Sequence, residues 1–417
     1  MKAPTPIAFD DALRRLQQVA EGHARARSLQ SGATETIALT SAYGRVLHGA
    51  ASARAPLPGF TNAAMDGFAL RAADLALAAD AGLEIAGAQF AGPATANGCA
   101  PGRCIRITTG APLPAGADTV VPREVVNESG NRMRLTEPMA AGANVRRAGE
   151  DVAAGAQIAA PGQVLQAADI ALLAAAGVAS VEVARAPRIA LLVSGDELRP
   201  PAAELVRGAI HDSNTPMLAS LFAGSGTPVS TSATVPDEPT RIAELLGSMA
   251  ASHDLVVACG GASVGERDYL PELADALGSV HFWRVRVRPG MPVLCASIAD
   301  ALLLVLPGNP VSAFCMFHAF VRPALDRLHG RTQPRERLHA RLAQALDKQH
   351  DRHELRRGSV SCDAEGVLRV VLHPRQGSHQ LSGVSASNAL VHVPADCRSL
   401  AADAPVLVEP YGAILAP

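Results

Sequence analysis

Several features that mark special classes of protein are scarce or missing in this 417-residue sequence. Aromatic residues make up only 3% of it, with one Trp and three Tyr, so Ala, Val and Leu must supply most of the core. The formal net charge is -2, which gives the whole molecule no electrostatic attraction for nucleic acid or an anionic membrane. The N-terminus lacks an apolar run of signal-peptide length, and no uncharged apolar stretch of about 18 residues follows.

Common catalytic and structural motifs are also missing. The seven Cys are scattered without CxxC pairs, which argues against a disulfide framework and, with the other features, predicts a cytoplasmic protein. The thirteen His form neither HxxxH nor HExxH, so no zinc set is evident. A Cys–His nucleophile pattern is absent as well, which disfavours covalent chemistry by a cysteine hydrolase.

The length and the changing pattern along the chain predict several domains of α/β and β class. Residues 9–30 show helical spacing, the segment that follows is broken by Pro and Gly, and a second helical pattern at 167–176 stops at Gly177. Alternating strands follow Arg331. The predicted domains are a discontinuous helical domain (1–50 plus 146–186), an inserted β-rich domain (51–145), an α/β domain (187–330) and a small C-terminal β barrel-like domain (331–417).

The segment 187–330 predicts a doubly wound α/β domain. Uninterrupted apolar runs at 189–193, 255–258 and 302–306 are typical of buried parallel strands. Helical patterns lie between and after them, at 215–223, 239–250 and 311–328. Ligands bind such sheets beyond the carboxyl ends of the strands, and the polar motifs of this segment cluster there.

The string RVRVRPGMP at 284–292 is the first candidate site. Alternation along a strand predicts that Arg284, Arg286 and Arg288 project from one face while Val285 and Val287 pack inward. Three guanidinium groups on one face suit a multiply charged anion, although a solvated strand face explains the pattern equally well.

Two turns at strand ends are candidates for holding an anion. In LPGNPVSAF (306–314), a helix is predicted to start at Pro310 with Asn309 as N-cap, and the plain alternative is an ordinary strand-to-helix turn. In CGGASVGERDYL (259–270), glycines allow backbone amides to approach a ligand, but the Lys of a Walker P-loop is missing. The candidate residues are Gly260, Gly261, Ser263, Pro307, Gly308, Asn309 and Pro310.

Carboxylates form a further group of candidates. Glu197 in SGDEL follows a strand, and Asp268 lies three residues beyond the last Gly of its loop, where carboxylates could hold Mg²⁺. For SGDEL taken locally, a helix N-terminus or an Asx turn is the favoured alternative. Asp237 follows a short apolar run, and the local alternative for it is a helix N-cap. Asp66-Gly67 on its own favours a hairpin turn, and the Thr108–Gly110 segment favours another turn.

Eight strings together resemble the molybdopterin molybdotransferase family, the bacterial relatives of the gephyrin E domain. They occur in family order between about 60 and 320: AMDGFA, ITTGAPLPAGAD, NVRRAGEDV, SGDEL, GAIHDSN, GGASVGERD, RPGMP and LPGNPVSA. The resemblance implies the four domains given above and an elongated homodimer whose active site lies between the α/β domain of one subunit and the β-rich module of the other.

The resemblance also implies a reaction: adenylylated molybdopterin and molybdate give molybdenum cofactor and AMP, with Mg²⁺. It makes the catalytic residues Asp66, Thr109, Asp151, Glu197, Asp237 and Asp268, with Glu197 and Asp268 on the metal. Pterin and anion binding would fall to Arg284, Arg288, Pro307 and Pro310, with Ser382 as a C-terminal candidate. A molybdopterin adenylyltransferase is an implied partner.

Three positions depart from the family pattern, which usually has Lys where Arg284, Arg288 and Met291 stand. Arg keeps the charge but replaces a compact donor with a planar fork, while Met291 removes a cation. Two alternatives therefore stay open: a weakened paralogue or scaffold that binds the pterin without turnover, and the related adenylyl-transfer step. Retained carboxylates argue against the first, and the additional domains argue against the second.

Overall fold

The computed structural model describes residues 4–95, 98–263, 265, 268–331 and 337–414. The chain separates into two compact units, one made of 1–35, 44–46 and 184–417, and the other of 36–43 and 47–183. The four predicted domain boundaries stay a prediction. The helices are α1 (Phe9–Ser28), α2 (Leu75–Asp80), α3 (Ala167–Ala175), α4 (Asn214–Gly224), α5 (Pro239–Ser252), α6 (Leu270–Leu277), α7 (Pro310–Met316), α8 (Arg322–Leu328) and α9 (Ser382–Ser385).

The strands are short, and most belong to one of three six-stranded sheets. Those before residue 185 are β1 (Thr34–Ala38), β2 (Ala51–Ser52), β3 (Asn62–Ala63), β4 (Gly67–Leu70), β5 (Leu83–Gln89), β6 (Arg103–Ile107), β7 (Thr119–Pro122), β8 (Val126–Ser129), β9 (Arg132–Leu135), β10 (Val145–Arg146), β11 (Gln157–Ala159) and β12 (Ser180–Ala184). Those after it are β13 (Ile189–Ser194), β14 (Leu198–Arg199), β15 (Ile210–His211), β16 (Thr231–Val235), β17 (Leu255–Cys259), β18 (Ser279–Trp283), β19 (Val287–Arg288), β20 (Leu294–Ile298), β21 (Ala301–Leu306), β22 (Leu338–Leu342), β23 (Leu346–Asp347), β24 (His353–Cys362), β25 (Leu368–Leu372), β26 (Ala389–Val393), β27 (Ser399–Leu400) and β28 (Pro405–Pro410).

The unit containing 47–183 is built around a β sheet of order β7-β4-β6-β5-β9-β8. Apolar side chains such as Phe68 and Val121 are buried in its core. A separate cluster packs α3 against neighbouring segments through residues that include Leu47 and Leu173. Gly177 follows α3 with φ +80°, a left-handed conformation that ends the helix as the sequence predicts.

The larger unit contains the predicted α/β domain, whose sheet has the order β16-β13-β17-β21-β20-β18. Its first four strands are parallel, and β20 pairs antiparallel with both β21 and β18, so the sheet is mixed at one edge. Apolar clusters cover both faces, which confirms the doubly wound arrangement. Every residue of β13, β17 and β21 is buried, as two-sided packing requires.

Helix α1 and the C-terminal strands complete this unit. Phe9, Ala12, Leu16 and Ala20 recur at helical spacing and are all buried in the main apolar cluster. Strands β24, β25, β22, β28 and β26 pair in that order, and β26 pairs back with β24 to close a five-stranded barrel. The predicted C-terminal β barrel-like domain is thereby confirmed.

None of the helices in the described ranges is both long enough and apolar enough to cross a membrane.

Candidate functional site

A cavity of about 770 Å³ opens at the carboxyl ends of the parallel strands in the larger unit. The segments that follow β13, β17 and β21 all contribute to its lining, together with the start of α4. This is where a doubly wound sheet is expected to bind its ligand. Sequence-predicted residues that line it are Glu197, Asp237, Gly260, Gly261, Ser263, Asp268, Pro307, Gly308, Asn309 and Pro310.

The end of β13 places Glu197 at this cavity. A tight turn follows Ser194, and a Cβ on Gly195 would lie 2.9 Å from a carboxylate oxygen of Glu197. Next to it, the carboxylate of Asp196 accepts a hydrogen bond of 3.0 Å from the backbone N–H of Asp237. This bond ties the segment after β13 to the segment after β16, so the two acidic segments are held together.

The glycine-rich loop after β17 approaches β13 very closely. Gly260 and Gly261 have φ angles of +108° and +47°, in the region that side chains disfavour. A Cβ on Gly260 would lie only 2.3 Å from the carbonyl oxygen of Ser194. The backbone can therefore reach a ligand here only because no side chain intervenes.

Asp268 lies at the end of the same loop and holds its backbone through one hydrogen bond. Its carboxylate accepts a hydrogen bond of 2.7 Å from the backbone N–H of Gly265. Asp268 is partly exposed and lines the cavity, so its carboxylate remains within reach of a ligand.

The PGNP turn after β21 forms another wall. Helix α7 starts at Pro310 as predicted, and Asn309 takes the N-cap position, although its side chain makes no capping hydrogen bond. The turn is held instead by Asn214, whose Nδ2 donates a hydrogen bond of 2.7 Å to the carbonyl oxygen of Gly308. The thiol of Cys259 donates to the carbonyl oxygen of Pro307 at 3.3 Å. These two hydrogen bonds hold the backbone of the PGNP turn in place.

The start of α4 is anchored by a buried carboxylate. Asp212 accepts hydrogen bonds from the backbone N–H of Thr215 at 3.0 Å and from its hydroxyl at 2.6 Å. Thr234 on β16 donates a third bond of 3.1 Å. Sequence reasoning did not single out Asp212, Asn214 or Ser194 as functional, although GAIHDSN and SGDEL contain them.

The cavity wall carries carboxylates, which are the kind of oxygen ligand that Mg²⁺ binds. Within the described ranges no cluster of three or more His, Cys, Asp or Glu side chains is arranged to hold a metal ion. Mg²⁺ usually keeps several waters and takes one or two protein carboxylates together with substrate phosphates. Glu197, Asp237 and Asp268 offer such oxygens at the cavity wall.

The smaller unit brings Asp66 and Thr109 together. One carboxylate oxygen of Asp66 accepts a hydrogen bond from the backbone N–H of Thr109 at 2.6 Å and another from its hydroxyl at 2.7 Å. The backbone bond and then the hydroxyl bond lower the pKa of Asp66, so this carboxylate is ionised at neutral pH. Asp151 is exposed in the same unit, and its backbone N–H donates to the carbonyl oxygen of Leu57.

One turn predicted in this unit is wrong, and the other is confirmed. Gly67 begins β4, which lies between β7 and β6 in the sheet, instead of forming a hairpin turn with Asp66. A Cβ there would lie 1.9 Å from the carbonyl oxygen of Val121, so Gly is required for strand packing. The turn at Thr108 is present, since the N–H of Ala111 donates to the carbonyl oxygen of Thr108 at 3.0 Å.

The arginine string only partly follows its prediction. Val285 and Val287 are fully buried as expected. The three arginines, however, do not line the cavity, and each has a different neighbour. Arg284 approaches the sulfur of Met291 at 4.0 Å, Arg286 pairs with Asp351, and Arg288 lies 4.0 Å from Glu354. The three guanidinium groups therefore have separate neighbours, because φ +68° at Arg284 interrupts the regular strand alternation that the sequence predicts. Anion binding by these residues stays a prediction.

Ser382 lies outside the cavity lining. It is the first residue of α9, and its carbonyl oxygen accepts a hydrogen bond from the backbone N–H of Ala386 at 3.0 Å.

Comparison with known families covers nearly the whole chain. Residues 7–177 match the MoeA N-terminal region (domain I and II), 190–327 match the probable molybdopterin binding domain, and 339–411 match the MoeA C-terminal region (domain IV).

Individual relatives agree with these matches. Molybdopterin molybdenumtransferase 2 of Mycobacterium tuberculosis is 34% identical over 377 residues, which cover 88% of this chain and 92% of the relative. Molybdopterin molybdenumtransferase of Haemophilus influenzae is 32% identical over 363 residues, covering 86% and 89%. The crystal structure of the molybdopterin biosynthesis moeA protein from Pyrococcus horikoshii OT3 aligns with a TM-score of 0.82 at 26% identity, covering 98% of this chain and 100% of that one. The chain belongs to the MoeA family of molybdopterin molybdenumtransferases.

Proposed function

We propose that this chain transfers molybdenum from molybdate to adenylylated molybdopterin and releases AMP, giving molybdenum cofactor. The observation that carries the proposal is the cavity at the strand ends, where three carboxylates, a glycine-rich loop and the PGNP turn converge. In a member of this family, such a cavity is suited to a ligand that carries phosphates and a polar ring. Molybdate and the adenylylated pterin are substrates in this scheme.

The chain's own residues mainly bind, position and balance charge. Backbone at Gly260 and Gly261 can approach the phosphates because the close contact with β13 excludes side chains there. Glu197 and Asp268 would hold Mg²⁺, with Asp237 beside them. When bound, Mg²⁺ neutralises the phosphate oxygens near the bond that breaks. Holding the reacting groups together supplies much of the rate enhancement in such a reaction.

Asp66, Thr109 and Asp151 are proposed to serve the same reaction from the smaller unit. The two hydrogen bonds from Thr109 keep Asp66 ionised and fix one of its oxygens, so the other oxygen faces its surroundings as an acceptor. In the reaction, the dithiolene sulfurs bind molybdenum, and their thiol protons leave with oxygen from molybdate as water. Water also cleaves the phosphoanhydride bond of the adenylylated pterin, which releases AMP. A fixed, charged hydrogen-bond acceptor such as Asp66 can orient a thiol or a water molecule that takes part in this step.

Arg284 and Arg288, together with Ser382, are proposed to act on the anion and pterin side. The family usually has Lys at the positions of both arginines and of Met291. In this chain the sulfur of Met291 lies against the Arg284 guanidinium. We propose that Arg284 and Arg288 supply the local positive charge, and that molybdate binds more weakly than it would with the third cation.

The proposal also covers the oligomeric state, the partner enzyme and the cellular location. We propose a homodimer, a molybdopterin adenylyltransferase as the supplier of the adenylylated substrate, and a cytoplasmic location. An adenylyltransferase uses ATP, and its product is the substrate proposed here, so the two activities are consecutive.

Nucleotide analysis tests the proposal. The purified chain is incubated with adenylylated molybdopterin and Mg²⁺, with and without molybdate, and AMP is quantified by chromatography. Molybdate-dependent AMP release that is lost on Mg²⁺ chelation is expected. Binding without AMP release would favour a scaffold, and consumption of ATP with unadenylylated molybdopterin would favour the adenylyl-transfer step. The Asp268→Asn variant serves as the inactive control.

A further inference from the structure

Two buried polar atoms in the cavity lack partners. Within the described residues, Ser194 Oγ and Asn214 Oδ1 have no hydrogen-bond partner, although both side chains are hidden from solvent. Ser194 is 7% exposed and Asn214 is 6% exposed. Both residues line the same cavity, at the end of β13 and at the start of α4. Buried polar groups are nearly always paired, so two unpaired groups at one cavity indicate a partner that comes from outside the protein.

The orientation of Asn214 is fixed by the fold. Its side chain contacts the carbonyl oxygen of Gly308 at 2.7 Å, and a carbonyl accepts only, so the contacting atom must be the amide nitrogen. The remaining oxygen, Oδ1, is therefore an acceptor. Its position is set by the anchoring of α4 through Asp212 and by the rigid PGNP turn.

The hydroxyl of Ser194 lies close to the glycine-rich loop. It lies 3.0 Å and 3.7 Å from the positions that Cβ atoms on Gly260 and Gly261 would occupy. Its own backbone carbonyl lies against Gly260 as well. A hydroxyl both donates and accepts, so Ser194 complements the acceptor of Asn214.

We propose that Ser194 and Asn214 bind the hydrogen-bonding edge of an amino-substituted heterocycle, and that this heterocycle is the pterin ring. Such an edge presents N–H donors beside a ring acceptor, which matches one fixed acceptor and one hydroxyl. This inference rests on the proposed function, whose substrate contains two heterocycles of this kind, the pterin and the adenine.

Isothermal titration with two probes tests the inference. Neopterin represents the pterin, AMP represents the nucleotide, and the full-length chain is used as wild type and as Ser194→Ala. The variant should bind neopterin about three- to tenfold more weakly, the range expected for one neutral hydrogen bond, and should bind AMP as the wild type does. Because the hydroxyl has no hydrogen-bond partner among the described residues, the variant should unfold at the same or a slightly higher temperature than the wild type.

A matched control separates binding from folding. The hydroxyl of Ser230 donates to the carbonyl oxygen of Ile189 at 2.8 Å, at the opposite end of β13 from the cavity. Ser230→Ala should therefore lower the unfolding temperature and leave neopterin affinity unchanged. This is the reverse of the pattern expected for Ser194→Ala.

Three other results of the titrations would overturn the inference. Weaker AMP binding with unchanged neopterin binding would place the adenine at these residues and overturn the assignment to pterin. Wild-type affinity of Ser194→Ala for both probes would overturn the inference while leaving the proposed function intact. A wild-type chain that binds neither probe would overturn the inference and count against the proposed function as well.

Discussion

Replacing Gly260 with Ala should damage the cavity and the sheet beneath it. Gly260 has φ +108°, and a Cβ there would lie 2.3 Å from the carbonyl oxygen of Ser194 and 3.0 Å from its hydroxyl. The carbonyl cannot move away easily, because β13 is fixed by parallel pairing on both sides. The residue must therefore change its backbone conformation or push the glycine-rich loop off the sheet.

The size of the effect follows from two contributions. A non-glycine residue in a left-handed conformation costs about 1–2 kcal/mol, and forcing an additional carbon into a packed region costs about 1–3 kcal/mol. Together these predict a loss of about 2–5 kcal/mol in the free energy of unfolding. Gly247 in the interior of α5 is the matched control, since a Cβ there would meet nothing within 4 Å. Its replacement with Ala should stabilise the protein by about 0.5–1 kcal/mol.

Urea unfolding monitored by tryptophan fluorescence measures this effect. Trp283 is the only Trp in the chain, and its indole N–H donates to the carbonyl oxygen of Ala262 in the same loop at 3.0 Å. The midpoint for Gly260→Ala should fall well below that of the wild type, while the midpoint for Gly247→Ala should rise. A Gly260→Ala variant with wild-type stability and AMP release would refute the close approach of the loop to β13.

Three further predictions concern the site and its surroundings. Asp66→Asn and Asp268→Asn should each abolish AMP release without unfolding the protein. If the site is shared between subunits, mixing the two variants should restore about a quarter of the activity, because about half of the dimers are then mixed and each mixed dimer has one intact site. No recovery on mixing would contradict a shared site. Met291→Lys should lower the molybdate concentration that gives half-maximal AMP release, and an unchanged value would show that the missing cation is irrelevant. Burial lowers the pKa of His329 from 6.5 to about 3, so the unfolded chain takes up a proton that the folded chain does not, and stability should fall as the pH drops from 6.5 towards 3. His329→Gln should reduce that slope in urea titrations by about 1.4 kcal/mol per pH unit, and an unaltered slope would contradict it.

The α/β core was largely predictable from the sequence. The runs at 189–193, 255–258 and 302–306 lie within β13, β17 and β21, which extend at most one residue beyond them. Burial on both faces leaves an uninterrupted apolar pattern that is easy to recognise. By contrast, β16 (TSATV) is a polar edge strand, and the antiparallel position of β20 and β18 depends on pairing that no local pattern encodes.

The candidate site was predictable where residues follow strand ends. Glu197, Asp268 and the PGNP turn were found because the ends of parallel strands meet at one edge of the sheet. Ser194 and Asn214 were missed, because a Ser or Asn is unremarkable until its burial and its missing partner are known. The Asp66-Gly67 dipeptide misled for the opposite reason: its local turn preference is overridden by sheet packing around Gly67.

Reconstitution of an apo-molybdoenzyme tests the central claim most directly. The chain, adenylylated molybdopterin, Mg²⁺ and molybdate are incubated with the apoenzyme, and the molybdenum bound per pterin is measured together with the recovered activity. Molybdenum-loaded pterin, active enzyme and AMP should appear together, and all three should be lost in Asp268→Asn. Tight pterin binding with no molybdenum in the product would contradict it.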